Sequence, residues 1–293
     1  MTARTTMAGS ASPGPLARAL ARFLANRQAV AGLLCLLVIA VLSILVPVVW
    51  PHGIEEASLD RIAQPPSFAD FHWFGTDANG RDLFVRTFYG GRISLAVGLV
   101  ATVIALVIGV LWGATAGYLG GAVDLVMMRI VDVLYALPLL FLIIVLVTVF
   151  GNNIILIFAA IGAVEWLTMA RIVRGQTIAL RNREFLESAR AIDLPNQRIL
   201  ARYIIPNAVG PVIVYATLLV PINIIIESAL SFLGLGVQEP LTSWGLLINQ
   251  GAAQIDSAPW LLGFPAILLV LTMLSFNFVG DGLRDALDPG ARG

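Results

Sequence analysis

Lysine is absent from this 293-residue sequence, and all 18 basic residues are arginine. A phosphate loop of the form GxxxxGK[ST] needs its lysine to reach nucleotide phosphates. The chain holds no such loop, so ATP-driven work must draw its ATP and Mg²⁺ chemistry from another polypeptide. Cysteine is nearly absent: Cys35 stands alone in an apolar run, which excludes an intrachain disulfide and a cysteine metal cluster. The two histidines, His52 and His72, lie far apart in a polar stretch and read as solvated loop side chains with no close ligand pair. No metal is expected. Charge is scarce as well. Charged residues make up 12% of the chain, against about 25% in a soluble domain, too little to cover a water-facing surface. The 18 acids balance the arginines, so no global field attracts nucleic acid.

Hydrophobic residues, by contrast, make up 58%. A helix needs about 20 apolar residues to cross a hydrocarbon core about 30 Å thick. Six segments qualify: Ala29–Val49, Leu95–Ala116, Leu125–Phe150, Ile154–Val173, Ala208–Phe232 and Trp260–Val279. The expected fold class is an all-α membrane protein. The first run follows Arg18, Arg22 and Arg27 like a signal peptide, but it is too long and no small-residue cleavage site follows it. It reads as a retained helix with Trp50 at the interface. The first 15 residues, rich in Ala, Ser, Thr, Gly and Pro, read as a disordered tail.

Arginine placement sets orientation. With the N-terminus inside, 14 arginines are cytoplasmic and four (Arg61, Arg81, Arg86, Arg92) are outside. Both termini are therefore expected in the cytoplasm. The chain divides into a cytoplasmic tail over 1–27, the first span plus an outer loop over 28–93, a five-helix core over 94–283 and a cytoplasmic tail over 284–293. The core holds an inner loop over 174–207.

That inner loop is the informative segment. Phe185, Ala189 and Ile192 recur at helical spacing with Leu186 alongside, and Arg183, Glu187 and Arg190 offer pairings three and four apart. Pro195 breaks the run, and a second short helix over about Asn196–Tyr203 should end before Pro206. Such an element either caps the bundle or docks its apolar knobs into a groove on a partner.

Here the sequence resembles a family. The pattern EAA-x3-G-x9-I-x-LP marks the coupling loop of permease subunits of bacterial ABC importers. This chain reads Glu187-Ser188-Ala189, then Asp193 at the glycine position, then Tyr203-Ile204-Ile205-Pro206. It departs from the pattern at Ser188, Asp193, Tyr203 and Ile205. Asp tolerates left-handed conformations better than most residues, so Asp193 can still make the bend. Phe74-Gly-Thr-Asp-Ala-Asn-Gly-Arg-Asp82, Ala170-Arg-Ile-Val-Arg-Gly-Gln176, Ser231-Phe-Leu-Gly-Leu-Gly236, Gln238-Glu-Pro240 and Gly280-Asp-Gly-Leu-Arg-Asp-Ala-Leu-Asp-Pro289 are similar to the peptide-importer branch. The match is nearest to the C-type permease of oligopeptide importers, a pattern shared with dipeptide, nickel and glutathione importers.

The resemblance implies an inner-membrane, multi-pass permease with no catalytic site or cofactor of its own. It implies a sister permease, two ATPase subunits and an extracytoplasmic peptide-binding protein as partners, with lipid around it. It places Arg183, Glu184, Phe185, Glu187, Ala189, Arg190, Ala191 and Asp193 at the ATPase contact. Intramembrane acids usually face a bundle interior or water, so Asn223, Glu227 and Glu165 are candidates for a polar wall of the path, or else acids satisfied by a hydroxyl or the sister subunit. Gly75, Thr76, Asp77, Gly80, Arg81 and Asp82 suit a tight outer turn. Gly117–Gly121 reads as a glycine-rich turn. An intramembrane enzyme is disfavoured because no His lies in any span, and a stand-alone carrier because no inverted repeat is visible.

Overall fold

A computed structural model describes residues 14–151 and 153–287. The tail expected over the first 15 residues falls mostly on 1–13, and the last part of the C-terminal tail on 288–293; both lie outside the described residues. Within them, helices carry the fold, with three isolated β-bridges and no strand.

Helix α1 (Pro15–Ala25) lies where a tail was expected. Its Leu20, Phe23 and Leu24 stand apart from Arg18 and Arg22 around the helix, and Phe23 is buried against Ala29, Val279 and Ala286. Asn26 separates it from α2 (Arg27–Val49) and caps α2 by accepting the Gln28 and Ala29 amides at 3.1 and 3.2 Å. A long loop then leads to α3 (Leu83–Leu119), followed by α4 (Gly121–Tyr135), α5 (Leu139–Phe150) and α6 (Ile154–Arg181). After α7 (Glu184–Ala191) come α8 (Asn196–Ile199), α9 (Ile205–Phe232), α10 (Trp244–Ala252) and α11 (Trp260–Leu287).

Five continuous helical runs are long and apolar enough to cross a membrane: α2, α3, α6, Asn196–Phe232 and α11. The pair α4 and α5 makes a sixth if taken as one bent span. The expected single helix over 125–150 is thus corrected: it is broken at residues 136–138 with an 82° bend. Pro138 has no N–H and drives Leu137 out of the helical region. The expected stop before Pro206 is corrected in the opposite sense. A π turn over Leu200–Ile204 carries the helix through, so Pro206 lies inside one run directly after that turn, whose altered bonding accommodates the donor that proline lacks. The glycine-rich turn narrows to Gly120 and Gly121, both with positive φ, because Gly117 is still helical. Helix α11 runs to Leu287, past the expected core boundary at 283.

Helix α3, 37 residues and about 55 Å long, is the axis of the bundle; α6, α9 and α2 all pack on it. Its closest neighbour is α6. Gly109, Gly113 and Gly117, four residues apart, let the two backbones approach. A Cβ at Gly113 would stand 2.9 Å from Arg174 N and 3.0 Å from Val173 Cβ. Gly113→Val is therefore expected to cost about 1–3 kcal/mol by overpacking, read as a lower unfolding midpoint in detergent. Gly210→Ala in α9, with open space at its Cβ, serves as the control that should not fall.

Candidate functional site

Helix α7 is short, and its sequence divides it into two faces. Leu186 and Ala189 are buried, packed with Tyr118 of α3, Met169 and Val173 of α6, and Ile204, Ala208 and Val212 of the α9 run. Phe185 and Ile192 point outward, at 40% and 71% exposure. Arg183, Glu184, Glu187, Arg190, Ala191 and Asp193 are exposed with them. The expected stripe of Phe185, Ala189 and Ile192 lies within about 60° around the helix, but the bundle covers only its Ala189 edge, on the side of Leu186, and leaves Phe185 and Ile192 uncovered. Ala189, expected at the partner contact, faces the chain's own bundle and is buried there. No ion pair joins Arg183, Glu187 and Arg190 among the described residues. Arg190 instead lies over the Tyr118 ring at 5.4 Å and donates to Arg181 O at 3.3 Å.

The end of α7 is built by the motif's glycine position. Asp193 has φ +54°. Its amide donates to Arg190 O at 2.9 Å, and the Leu194 amide reaches Ala189 O at 3.4 Å. This is the Schellman pattern, with the left-handed residue at C′. Leu194 packs beside Ala189, so the turn and the buried face hold each other. Two acids, Glu184 and Glu187, sit in the first turn, where the helix dipole favours them.

The same end of the bundle is braced by arginines. Arg174 donates to both oxygens of Asp124 at 2.5 and 2.6 Å, and Arg171 donates to Asp132 at 2.9 Å while lying 4.0 Å from the Tyr135 ring centre. These ties fasten α4 to α6. The signal was present but unread: Arg171 and Arg174 are three residues apart, and Asp124 and Asp132 eight apart, so each pair shares one face of its helix.

Asn223 and Glu227 do not form an open wall. Both are fully buried within this chain. Asn223 donates to Thr102 at 2.9 Å. Glu227 accepts from Ser231 at 2.6 Å and Ser94 at 3.5 Å. Ser94 in turn accepts the Trp244 amide, and Ser243 caps α10 through the Leu246 amide. These six polar side chains tie α3, α9 and α10, a helix absent from the sequence reading. Of the two readings offered for Glu227, the geometry within this chain is that of an acid satisfied by hydroxyls, for a steric reason. Gly98 brings α9 so close to α3 that a Cβ there would be 2.7 Å from Ile224 Cγ1, which leaves the polar groups between the helices. Glu165 is also buried, and no hydrogen bond or ion pair to it occurs among the described residues.

At the opposite end from α7, the outer turn holds a charge cluster. Gly75 and Gly80 take positive φ, as a tight turn requires. Thr76 donates to Arg61 O and accepts from the Gln64 amide at 2.9 Å. Asp77 accepts from the amides of Asn79 and Arg81 and from Arg81 Nε, all at 2.8–2.9 Å. Arg81 Nη2 then donates to Glu239 at 2.8 Å across the bundle, and the buried Arg86 lies 3.5 Å from both Asp77 and Glu239. Gln250 of α10 donates to Glu239 as well. Glu239, Gln250 and Arg86 were not anticipated.

Hydrogen bonding from Arg81 pulls the Glu239 carboxyl down from its ordinary 4.5 to about 2. A depressed carboxyl contributes stability that is full above its unfolded pKa and is lost as pH falls through the folded value. Wild type minus Glu239→Gln in unfolding midpoint is therefore expected to stay constant above about pH 5 and to shrink between pH 4.5 and 2. Its size is reduced by solvent screening, since the side chain is 43% exposed.

Residues 105–293 match the family of binding-protein-dependent transport system inner membrane components, and residues 14–66 match the N-terminal transmembrane domain of oligopeptide transport permease C. The oligopeptide transport system permease protein OppC of Haemophilus influenzae is 52% identical over 92% of this chain and 87% of its own length. The protein of that name from Escherichia coli strain K12 is 53% identical over 92% and 90%. The dipeptide transport system permease protein DppC of Bacillus subtilis is 47% identical over 91% and 83%.

Proposed function

Since the chain belongs to the family of binding-protein-dependent transport system inner membrane components, we propose that it is one permease subunit of an ATP-driven importer of oligopeptides. Both termini and α7 face the cytoplasm in this reading, supported by the 14 arginines on that side against four on the other. The chain pairs with a sister permease, two ATPase subunits bind ATP and Mg²⁺, and an extracytoplasmic binding protein delivers the peptide. Relatives named for oligopeptides at 52% and 53% identity support that cargo.

One observation carries the mechanism. Helix α7 is anchored at Leu186 and Ala189 to α3, α6 and the α9 run, while it presents Phe185, Glu187 and Ile192 outward. A push on the exposed face is thereby delivered to three spanning helices at once. Packed interfaces of this kind rearrange in discrete steps rather than deforming smoothly. Arg183, Glu184, Arg190, Ala191 and the Asp193 turn frame the exposed contact.

The chain, purified with what it binds in the native membrane, should co-elute with a sister permease and two ATPases. In vesicles that assembly should take up oligopeptides when the binding protein and ATP are present. Uptake by the chain alone, driven by a proton gradient, would overturn the reading.

A further inference from the structure

The outer loop brings the two histidines together, against the sequence expectation. Their rings stack with centroids 4.4 Å apart. His72 is buried at 7% exposure, and His52 is half-buried. Asp82 completes the group: His52, His72 and Asp82 each bring a ligand-capable atom within 4.8 Å of the others. A cavity of about 250 Å³ opens on them, lined also by Glu56, Ser58, Arg61 and Gly80.

The tautomers follow from the partners. His72 Nδ1 lies 2.6 Å from Asp82 Oδ2. A carboxylate only accepts, so Nδ1 carries the hydrogen and Nε2 keeps a lone pair. His52 Nε2 lies 3.2 Å from the Asp70 carbonyl. That oxygen also only accepts, so Nδ1 of His52 keeps its lone pair. Neither of these two bare nitrogens has a hydrogen-bond partner among the described residues. Asp82 is itself held, since its Oδ1 caps α3 through the Val85 amide at 2.9 Å. A carboxylate fixing the far nitrogen of a histidine is the arrangement that orients metal-binding imidazoles and makes them more basic.

We propose that His52 Nδ1 and His72 Nε2 bind a first-row divalent cation of the Zn²⁺ class, with Asp82 as the positioning residue behind His72. Imidazole nitrogens suit Zn²⁺, and they do not suit Ca²⁺ or Mg²⁺, which take oxygen ligands. Water completes the set from the cavity side, which Glu56 also lines. Zn–N bonds of about 2.0–2.1 Å lie in the imidazole plane and hold two tetrahedral ligands about 3.3 Å apart; the rings stack at 19°, so one ring has to turn out of the stack before both lone pairs point at a single ion. His52, on the loop after α2, makes that turn against the fixed Asp82–His72 pair. Arg61, the nearby cation, is drawn toward Asp70 at 3.8 Å. Bound metal would pin this loop to the start of α3.

The test uses the purified complex in nanodiscs, stripped with chelator and titrated with ZnCl₂ alone against a chromophoric competitor. One equivalent per chain is expected, with imidazole nitrogens at about 2.0–2.1 Å in X-ray absorption. His52→Gln should weaken binding at least tenfold without loss of folding, because His52 makes only one peripheral hydrogen bond. Asp82→Asn should weaken it by about 10–100-fold. Sub-stoichiometric zinc in the wild type, or an affinity unchanged by His52→Gln, overturns the site. Neither result touches the importer reading, which does not depend on this loop's metal.

Discussion

Asp77→Ala is expected to destabilise the chain by about 3–5 kcal/mol, the range for breaking a buried ion pair from one side. Asp77 accepts from Arg81 Nε and lies 3.5 Å from Arg86 Nε, and all three side chains are at least nine-tenths buried. Without it, two arginines share only Glu239, which is 43% exposed. Arg86 is the weak point of the arrangement: it is buried, and its Nε and Nη2 have ion pairs at 3.5 Å but no hydrogen-bond partner among the described residues. Arg86→Met, which removes the buried charge together with its desolvation cost, should therefore be milder than Asp77→Ala. Thermal unfolding of the two variants in one detergent orders them. An Asp77→Ala midpoint equal to wild type would show that the cluster contributes nothing to stability.

Glu187→Arg should abolish peptide-stimulated ATP hydrolysis in the assembled complex, to a tenth of wild type or less, while the chain's own unfolding midpoint stays put. The Glu187 side chain is exposed and makes no hydrogen bond or ion pair among the described residues, whereas placing a like charge against a partner surface costs several kcal/mol. Leu186→Ala gives the opposite signature. Leu186 is fully buried, so truncation should cost about 2–5 kcal/mol of stability. At Asp193, glycine should be accepted in full, because φ is already +54°. Asp193→Val should lose about 1–2 kcal/mol from the same turn. Normal coupling in Glu187→Arg would remove this face of α7 from the ATPase contact.

The spans could be read directly because hydrocarbon thickness demands a contiguous apolar run. Contiguity is a property of the chain itself, so the apolar cores of five runs were found, and the missing lysine excludes a GxxxxGK[ST] phosphate loop. Local rules also sufficed for α7 and for the Asp193 turn, since a helix and its cap depend on neighbours within about six residues.

What the tertiary structure decided lies beyond that range. The splitting of α7's apolar residues depended on which helices stand behind it, which buried Ala189 and left Phe185 and Ile192 exposed. Asn223 and Glu227 became interhelical ties because Gly98, over 120 residues away, lets two backbones close on them. Arg81 meets Glu239 across 158 positions, and His52 meets His72 because the loop doubles back on α3. Side-chain periodicity reports the direction of a face, but only packing supplies what that face meets.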